Sequence, residues 1–411
     1  MQPIAIADHM AGVHSDIRGD LYVEAMKMQA AGDKILKLNS GNPGVFGFTM
    51  PASVKEALLA GADRAVPYSD FRGMPAARQA IRAYHESRGV RDFDEDDIFL
   101  GNGVSEIASM LTEVMLNPGD EMLLPAPCYP LWSNCTRIAG GKPVFYTCDE
   151  SNNWQPDVDE MERLITPRTR GILLINPNNP TGAVYGRDVL ERVVALAQKY
   201  RLPILSDEIY DHLVYQGTEM VSAASLAPKD VTVITLNGLS KSHYLCGFRC
   251  GWMVVSGAKV IKQPLLDAVI KVASLRLCPN ALMQLVVPAA LNDTRDIDAA
   301  MAPGGRLFEQ RKATIEQLSR IDGISVVPNH GAFYVFPRID IERFGITSGH
   351  DFCMELLHEK KILLVPGSGF ECEDENHIRI VMLPQADAMA KAIADIGDFL
   401  EHKKRALLKI S

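Results

Sequence analysis

The chain has 411 residues, of which 47% are hydrophobic and 23% are charged, and its formal net charge is −9. This length exceeds one ordinary hydrophobic core, so we expect two domains, and the composition is that of a folded protein. The negative charge argues against a basic nucleic-acid-binding surface, so local arginines must capture any anionic substrate.

The first 45 residues carry a predicted helix at about 20–31 and then a short apolar segment at 35–38. We expect this N-terminal segment to pack on a small C-terminal domain. The N-terminus lacks a basic region followed by an apolar core, and no run of eighteen apolar residues occurs anywhere. We therefore expect no signal peptide, no membrane span and a cytoplasmic protein.

Between residues 46 and 305, short and nearly continuous apolar runs alternate with helical patterns. Such runs are typical of strands buried on both faces of a parallel or mixed sheet. The alternation predicts a large α/β domain. The runs lie at 97–100, 121–124, 171–175, 202–205 and 231–235, and clear amphipathic helices lie at 105–116 and 187–200.

From residue 306 the pattern changes to a charged helix at about 306–320 followed by short strands, a helix near 350–359 and a final helix. This mixture predicts a smaller α+β domain over 306–411. The Pro-Gly-Gly sequence at 303–305 is a reasonable hinge between the two domains.

Lys241 ends a stretch that runs from the apolar segment 231–235 into a turn of small residues. A surface lysine on a loop is the ordinary alternative, but an apolar, glycine-rich stretch follows this one. A buried lysine has a lowered pKa and can attack an aldehyde to form a Schiff base. The same amine, once released, can move a proton between two carbons.

Two further polar segments follow predicted strands: 176–182 (NPNNPTG) and 206–210 (SDEIY). Side chains beyond the carboxyl ends of such strands meet at one edge of the sheet. There Asp207 would keep a pyridine-type ring nitrogen protonated, which makes the ring an electron sink. Tyr210 and Asn179 would donate hydrogen bonds to the phenolic oxygen of that ring.

A phosphate would bind at the start of the predicted 105–116 helix. The loop 101–106 (GNGVSE) leads into it, and a helix N-terminus presents free N–H groups to an anion. Arg249 and Ser240 would add donors, and the ring of Tyr129 would cover the cofactor. The amine, the carboxylate and the anion site together point to pyridoxal phosphate.

Arg379 lies in the predicted strand 378–381 and is the candidate for the substrate carboxylate, which a guanidinium grips through two hydrogen bonds. Gly41 would let the backbone approach the same carboxylate. The cysteines lie at scattered positions without a CxxC pair and are expected to be reduced. Cys246 and Cys250 lack a second half-site, so we expect no metal.

These motifs resemble the class I/II, fold-type I aminotransferases over almost the whole chain. The resemblance rests on NPNNPTG, on SDEIY, on Ser240-Lys241 and on the arginine eight residues later. It implies the aspartate-aminotransferase-like fold, pyridoxal phosphate on Lys241 and a homodimer with active sites at the interface. It also implies that Tyr68 reaches the phosphate in the neighbouring subunit. The phosphate-loop positions correspond to Gly103, Val104 and Ser105.

Within the family, the segments 16–19 (DIRG) and 38–43 (LNSGNP) resemble bacterial alanine (glutamate–pyruvate) aminotransferases. The expected reaction is the transfer of an amino group from L-alanine to 2-oxoglutarate. No residue clearly matches the arginine that binds the second carboxylate in aspartate enzymes. Arg18 and Arg276 are the candidates for that role.

Three alternatives stay open from the sequence. The protein could prefer aromatic or branched-chain amino acids, because a pocket near Tyr129, Tyr22 and Phe46 could admit larger side chains. It could also be a C–S lyase, in which the same carbanion expels a leaving group. A regulator that binds DNA is disfavoured, since no added helix-turn-helix or basic region is present.

Overall fold

The computed structural model describes residues 3–14, 17, 19–372, 374 and 376–408. Helices and strands are numbered separately in chain order. The helices are α1 (Asp20–Ala30), α2 (Ala52–Gly61), α3 (Pro75–Ser87), α4 (Val104–Met115), α5 (Leu131–Ile138), α6 (Val158–Leu164), α7 (Arg187–Tyr200), α8 (Ala223–Leu226), α9 (Lys259–Leu275), α10 (Ala281–Gln284), α11 (Val287–Asn292), α12 (Arg295–Met301), α13 (Arg306–Leu318), α14 (Gly349–Lys360) and α15 (Ala386–Leu407). The strands are β1 (Leu36–Lys37), β2 (Ile98–Asn102), β3 (Glu121–Ala126), β4 (Lys142–Asp149), β5 (Gln155–Pro156), β6 (Thr169–Ile175), β7 (Ile204–Asp207), β8 (Val233–Gly238), β9 (Cys250–Ser256), β10 (Ile324–Ser325), β11 (Tyr334–Val335), β12 (Arg338–Ile339), β13 (Ile362–Leu363), β14 (Val365–Pro366) and β15 (Ile378–Val381).

The largest sheet has eight strands in the order β2-β9-β8-β7-β6-β3-β4-β5. Strands β8, β7, β6, β3 and β4 run parallel, whereas β9 is antiparallel to both of its neighbours. Every residue of β7 and β8 is buried, as expected for parallel strands covered on both faces. The predicted α/β architecture with a mixed sheet is therefore confirmed.

Three strands of this sheet, β4, β5 and β9, were not predicted. β4 has a mixed burial pattern from exposed to buried, so its sequence gives no continuous apolar run. β9 is fully buried and begins shortly after the single helical turn at Cys246–Phe248. Its antiparallel pairing joins β2 to β8 and brings Gly251 opposite both Gly101 and Gly238.

A second core lies around the short sheet β11-β15-β14. Leu21 and Leu38 from the N-terminal segment pack there with residues of α14 and α15, and β1 pairs in parallel with β13. A further cluster joins Tyr210 of the first part of the chain to Phe333 and Tyr334 of the second. The domain limits 1–45, 46–305 and 306–411 stay a prediction, because the hydrophobic clusters cross them.

Candidate active site

One cavity opens at the edge of the large sheet where the parallel strands β6, β7 and β8 end. Asp207 ends β7, whereas Asn179 and Lys241 follow β6 and β8 within a few residues. Neighbouring parallel strands end at the same edge, so these three side chains converge. The predicted site residues that line this cavity are Gly41, Val104, Ser105, Tyr129, Asn179, Asp207, Tyr210, Ser240, Lys241, Arg249 and Arg379.

Lys241 is half-buried in the lining of the cavity. Its Nζ donates a hydrogen bond to the Gly41 carbonyl at 2.8 Å and lies 4.0 Å from the Cys246 Sγ. The sequence led us to expect a pKa lowered by burial, and burial does act in that direction. The neighbouring Tyr334, Cys246 and Tyr129 outweigh it, so the pKa of Lys241 lies above its usual value. That expectation was wrong, and the amine is a cation at neutral pH in this arrangement.

Asp207 is 4% exposed, and each of its carboxylate oxygens accepts one hydrogen bond. The Trp132 indole N–H donates to Oδ2 at 3.0 Å, and the Ile209 backbone N–H donates to Oδ1 at 3.3 Å. Burial raises the pKa of Asp207 to about 6, although these two donors and Lys241 act against it. A carboxylate oxygen has room for a further donor, so a cationic ring N–H would supply what this buried group lacks.

The anion-binding end lies where α4 begins. Gly103 has φ +84°, and a Cβ there would stand 2.3 Å from Nη2 of Arg249, so only glycine lets the guanidinium lie against this loop. Val104 and Ser105 form the first turn of α4, and Ser105 is exposed towards the cavity. Gly103 itself does not line the cavity, but its conformation admits Arg249. Free N–H groups at a helix N-terminus and a guanidinium suit a phosphate.

Arg379 is 2% exposed and has no carboxylate bound to it among the described residues. Its guanidinium donates to Asn179 Oδ1 at 3.0 Å and to the Asn39 carbonyl, while Nε has no partner within the described structure. The ring centroids of Tyr334 and Phe370 lie 4.7 and 4.6 Å from it. A buried cation with a spare donor fits a carboxylate-bearing substrate.

Tyr210 is buried, and its hydroxyl lies 3.0 Å from that of Tyr334. Burial, together with the neighbouring Tyr334, holds the pKa of Tyr210 well above its usual value, so the phenol keeps its proton. Gly41 lies against the same pair: a Cβ there would stand 2.0 Å from the Tyr334 hydroxyl and 2.7 Å from Phe333. Gly41 is thus required for close packing, and its carbonyl is the group that binds Lys241.

Sequence reasoning missed two residues of the site, Trp132 and Tyr334. Trp132 is 1% exposed and lies 75 positions from Asp207, to which it donates. A buried indole N–H needs an acceptor, so a tryptophan close to Tyr129 in the chain was a signal that could have been followed. Tyr334 gave no such signal, because its sequence context is that of an ordinary apolar strand.

Besides Gly103, the candidates Tyr68 and Arg276 do not line the cavity of their own chain. Tyr68 is 79% exposed, and Arg18 lies outside the described residues. Arg276 binds the carboxylate of Glu106 and the carbonyls of Phe71 and Leu100. Arg276 does not line this cavity, but its Nε has no hydrogen-bond partner among the described residues, so its role in holding a substrate side chain stays a prediction.

This arrangement can hold a small molecule at four points. It offers an anion site at the start of α4, a buried carboxylate for a protonated ring nitrogen, an amine for an aldehyde and a guanidinium for a carboxylate. The residues described contain no group of three or more His, Cys, Asp or Glu side chains that could hold a metal ion.

The sequence was compared with protein families, and residues 33–396 match the family described as aminotransferase class I and II. The glutamate-pyruvate aminotransferase AlaA of Escherichia coli K12 is 43% identical over 400 residues, which is 97% of this chain and 98% of that protein. The alanine aminotransferase of Mycobacterium tuberculosis H37Rv is 42% identical over 386 residues, covering 94% of this chain and 90% of that protein.

Among solved structures, the crystal structure of an aminotransferase from Escherichia coli superimposes with a TM-score of 0.95 and 42% sequence identity. The superposition covers 97% of this chain and 99% of that one. The similarity therefore extends over nearly the whole length of both chains.

Proposed function

The chain belongs to the class I and II aminotransferase family, and we propose that it transfers the amino group of L-alanine to 2-oxoglutarate, giving pyruvate and L-glutamate. One observation carries the proposal: Lys241, Asp207 and Arg379 converge on a single cavity. The choice of alanine is supported by 43% identity to a protein named glutamate-pyruvate aminotransferase.

The cofactor of this proposal is pyridoxal 5′-phosphate, which when bound supplies the aldehyde and the electron sink for the reaction. Asp207 would hold the ring nitrogen in its protonated form, and Tyr129 would cover the ring. The first turn of α4, Ser240 and Arg249 would bind the phosphate. This fit is supported by the buried carboxylate of Asp207, which has a raised pKa and no directly bound cation among the described residues.

Side chains of the protein bind the substrate and transfer its proton. Arg379 binds the carboxylate that every α-amino acid and 2-oxo acid carries, and the bond to Asn179 holds the guanidinium in place. Lys241 Nζ removes the proton from the substrate Cα and later returns one.

A test of substrate choice is a comparison of L-alanine, L-valine, L-phenylalanine and L-aspartate, each with 2-oxoglutarate as acceptor. We expect the highest kcat/KM with alanine. One extra methylene group in an apolar pocket usually changes kcat/KM by about 10–200-fold, and valine carries two more carbons than alanine, so its kcat/KM should be at least about tenfold lower. Absorbance spectra before and after alanine, and again after 2-oxoglutarate, follow each half-reaction. Equal rates on all four amino acids would contradict the assignment to alanine.

The alternative specificities and the C–S lyase have less support, since the relatives described above carry alanine or glutamate–pyruvate in their names. Cystathionine without any 2-oxo acid is the discriminating substrate. Release of pyruvate and thiol faster than amino transfer from alanine would favour the lyase. A higher kcat/KM with phenylalanine than with alanine would favour an aromatic aminotransferase, and a higher kcat/KM with valine would favour a branched-chain aminotransferase.

We also propose a homodimer in which Tyr68 reaches the phosphate site of the neighbouring subunit. Tyr68 and Val66 are 79% and 85% exposed, and they lie beside a second exposed apolar segment that contains Leu275. The two segments are joined by a hydrogen bond from Arg276, the neighbour of Leu275, to the Phe71 carbonyl. Large exposed apolar groups that cluster in this way are typical of a subunit interface.

The dimer predicts complementation between two defective chains. Lys241→Ala and Tyr68→Ala homodimers should both be impaired, the second through weaker binding of the cofactor. A hybrid dimer has one site with an unchanged Lys241 and an unchanged Tyr68. An equal mixture, unfolded and refolded together, should therefore recover about a quarter of the wild-type activity.

The matched control for this experiment mixes Lys241→Ala with Asp207→Ala chains. Both changes fall in the same chain's cavity, so no hybrid site is complete and no activity should return. If the mixture with Tyr68→Ala recovers no more than this control, Tyr68 does not act across the interface.

The cellular location remains a prediction. None of the helices in the described ranges is long and apolar enough to cross a membrane. The cytoplasmic location expected from the N-terminal sequence is tested by fractionation of cells that produce the protein.

A further inference from the structure

Tyr334 contacts three groups of the candidate site at once. It begins β11, pairs with Val381 of β15 and is 1% exposed, yet its side chain lines the cavity. Its hydroxyl lies 3.0 Å from that of Tyr210, and its ring faces the Arg379 guanidinium. The Gly41 backbone, which binds Lys241, packs against the same hydroxyl.

The hydrogen bond between the Tyr210 and Tyr334 hydroxyls determines where each proton points. When two phenols share one hydrogen bond, one donates its proton and the other is free to donate elsewhere. Within the described residues, the structure gives neither hydroxyl another hydrogen-bond partner. If Tyr334 donates, the proton of Tyr210 points away from Tyr334, and Tyr210 lines the cavity where the cofactor would lie.

The ring of Tyr334 has a second and separate contact. The Arg379 guanidinium lies over two rings, with its carbon 4.7 Å from the centroid of Tyr334 and 4.6 Å from that of Phe370. Flanking rings hold a planar guanidinium in one orientation, which preserves the geometry of a two-pronged carboxylate contact. The ring and the hydroxyl of one side chain thus act on different partners.

We propose that Tyr334 is a positioning residue with two separable roles, one through its hydroxyl and one through its ring. The hydroxyl donates to Tyr210 and so directs the Tyr210 proton to the phenolic oxygen of the cofactor. The ring fixes the plane of the Arg379 guanidinium for the substrate carboxylate. This inference rests on the proposed function, because it assumes pyridoxal phosphate in the cavity.

The first test is Tyr334→Phe, which removes the hydroxyl and keeps the ring. A hydrogen bond to the phenolic oxygen withdraws negative charge that otherwise holds the proton on the cofactor-bound Lys241 nitrogen. We therefore expect the midpoint of the absorbance change with pH to rise by at least ~0.5 pH unit in the holoenzyme. The KM values for alanine and 2-oxoglutarate should change less than about twofold, because the ring contact remains.

A double-mutant cycle tests whether the hydroxyl acts through Tyr210. Tyr210→Phe should raise the midpoint, and Tyr210→Phe with Tyr334→Phe should raise it no further. Additive shifts, or an unmoved midpoint in Tyr334→Phe, would overturn the role of the hydroxyl. A wild-type protein without a pH-dependent cofactor band would instead refute the cofactor itself.

The ring is tested by Tyr334→Leu with Phe370→Leu as the matched control. Both changes remove one of the two rings that flank Arg379, so both should raise KM for alanine and 2-oxoglutarate by about tenfold. Only Tyr334→Leu should also shift the absorbance midpoint. An unchanged KM in a folded Tyr334→Leu enzyme would overturn the role of the ring, and the Tyr334→Phe result stands independently of how this variant folds.

Discussion

Replacing Lys241 with alanine is expected to lower kcat by about four orders of magnitude or more without unfolding the protein. The change removes both the amine that bonds to the cofactor and the base that moves the Cα proton, and a general base alone contributes up to about 10⁴-fold. The measurement is kcat for alanine and 2-oxoglutarate, with thermal unfolding as the check on folding.

Chemical mapping gives this prediction its control. Borohydride should fix the cofactor to Lys241 in the wild-type chain, and peptide mapping should find the label at that position. Lys391→Ala is a suitable comparison, because Lys391 is an exposed lysine paired with Asp395 on α15. It should retain full activity and the label at Lys241. Activity without a label at Lys241 would contradict the proposed role of the residue.

Replacing Arg379 with lysine is expected to reduce kcat/KM roughly 100-fold for every amino acid and 2-oxo acid substrate. The change keeps a positive charge but removes the planar fork, its bond to Asn179 and the spare Nε donor. Truncation of a buried, hydrogen-bonded charge pair costs ~2–5 kcal/mol, and ~3 kcal/mol corresponds to about 100-fold. The measurement is kcat/KM from steady-state kinetics with three substrates that differ in their side chains.

Arg311 provides a matched control for this experiment. Its guanidinium also lies over a tyrosine ring, that of Tyr215 at 4.7 Å, and binds an asparagine, Asn329, but it does not line the cavity. Arg311→Lys should change stability and leave kcat/KM within about twofold. A loss in Arg379→Lys that affects one substrate alone would show that Arg379 does not bind the carboxylate common to all of them.

Much of the chemistry was visible in the linear sequence because it depends on local context. Lys241, Asp207 and Asn179 each follow an apolar run, and β8, β7 and β6 are the strands that those runs form. Once the runs are recognised as parallel strands, convergence follows from the geometry of the sheet. The residues at the start of α4 were predicted for the same reason, since helix starts have a local signature.

Contacts between distant segments were not visible in the same way. Trp132 and Asp207 are 75 residues apart, Tyr210 and Tyr334 are 124 apart, and Gly41 and Lys241 are 200 apart. Periodicity states which side of an element is apolar, but it does not state which element packs against it. The direction of the Lys241 pKa shift was mispredicted for the same reason. Tyr334, which raises this pKa, lies 93 residues further along the chain and contacts the site only in the folded protein.

The amino-acid order by itself determined the α/β class, the site residues at strand ends and the resemblance to class I/II aminotransferases, because each depends on short-range pattern. Only the tertiary structure decided how Arg379 is flanked, which donor serves Asp207 and which phenol orients Tyr210. The contacts of Arg379 and Tyr210 arise where the small sheet β11-β15-β14 packs near the edge of the large one, and that of Asp207 arises where α5 packs on the large sheet. The packing of two separately patterned surfaces is not encoded in either segment alone.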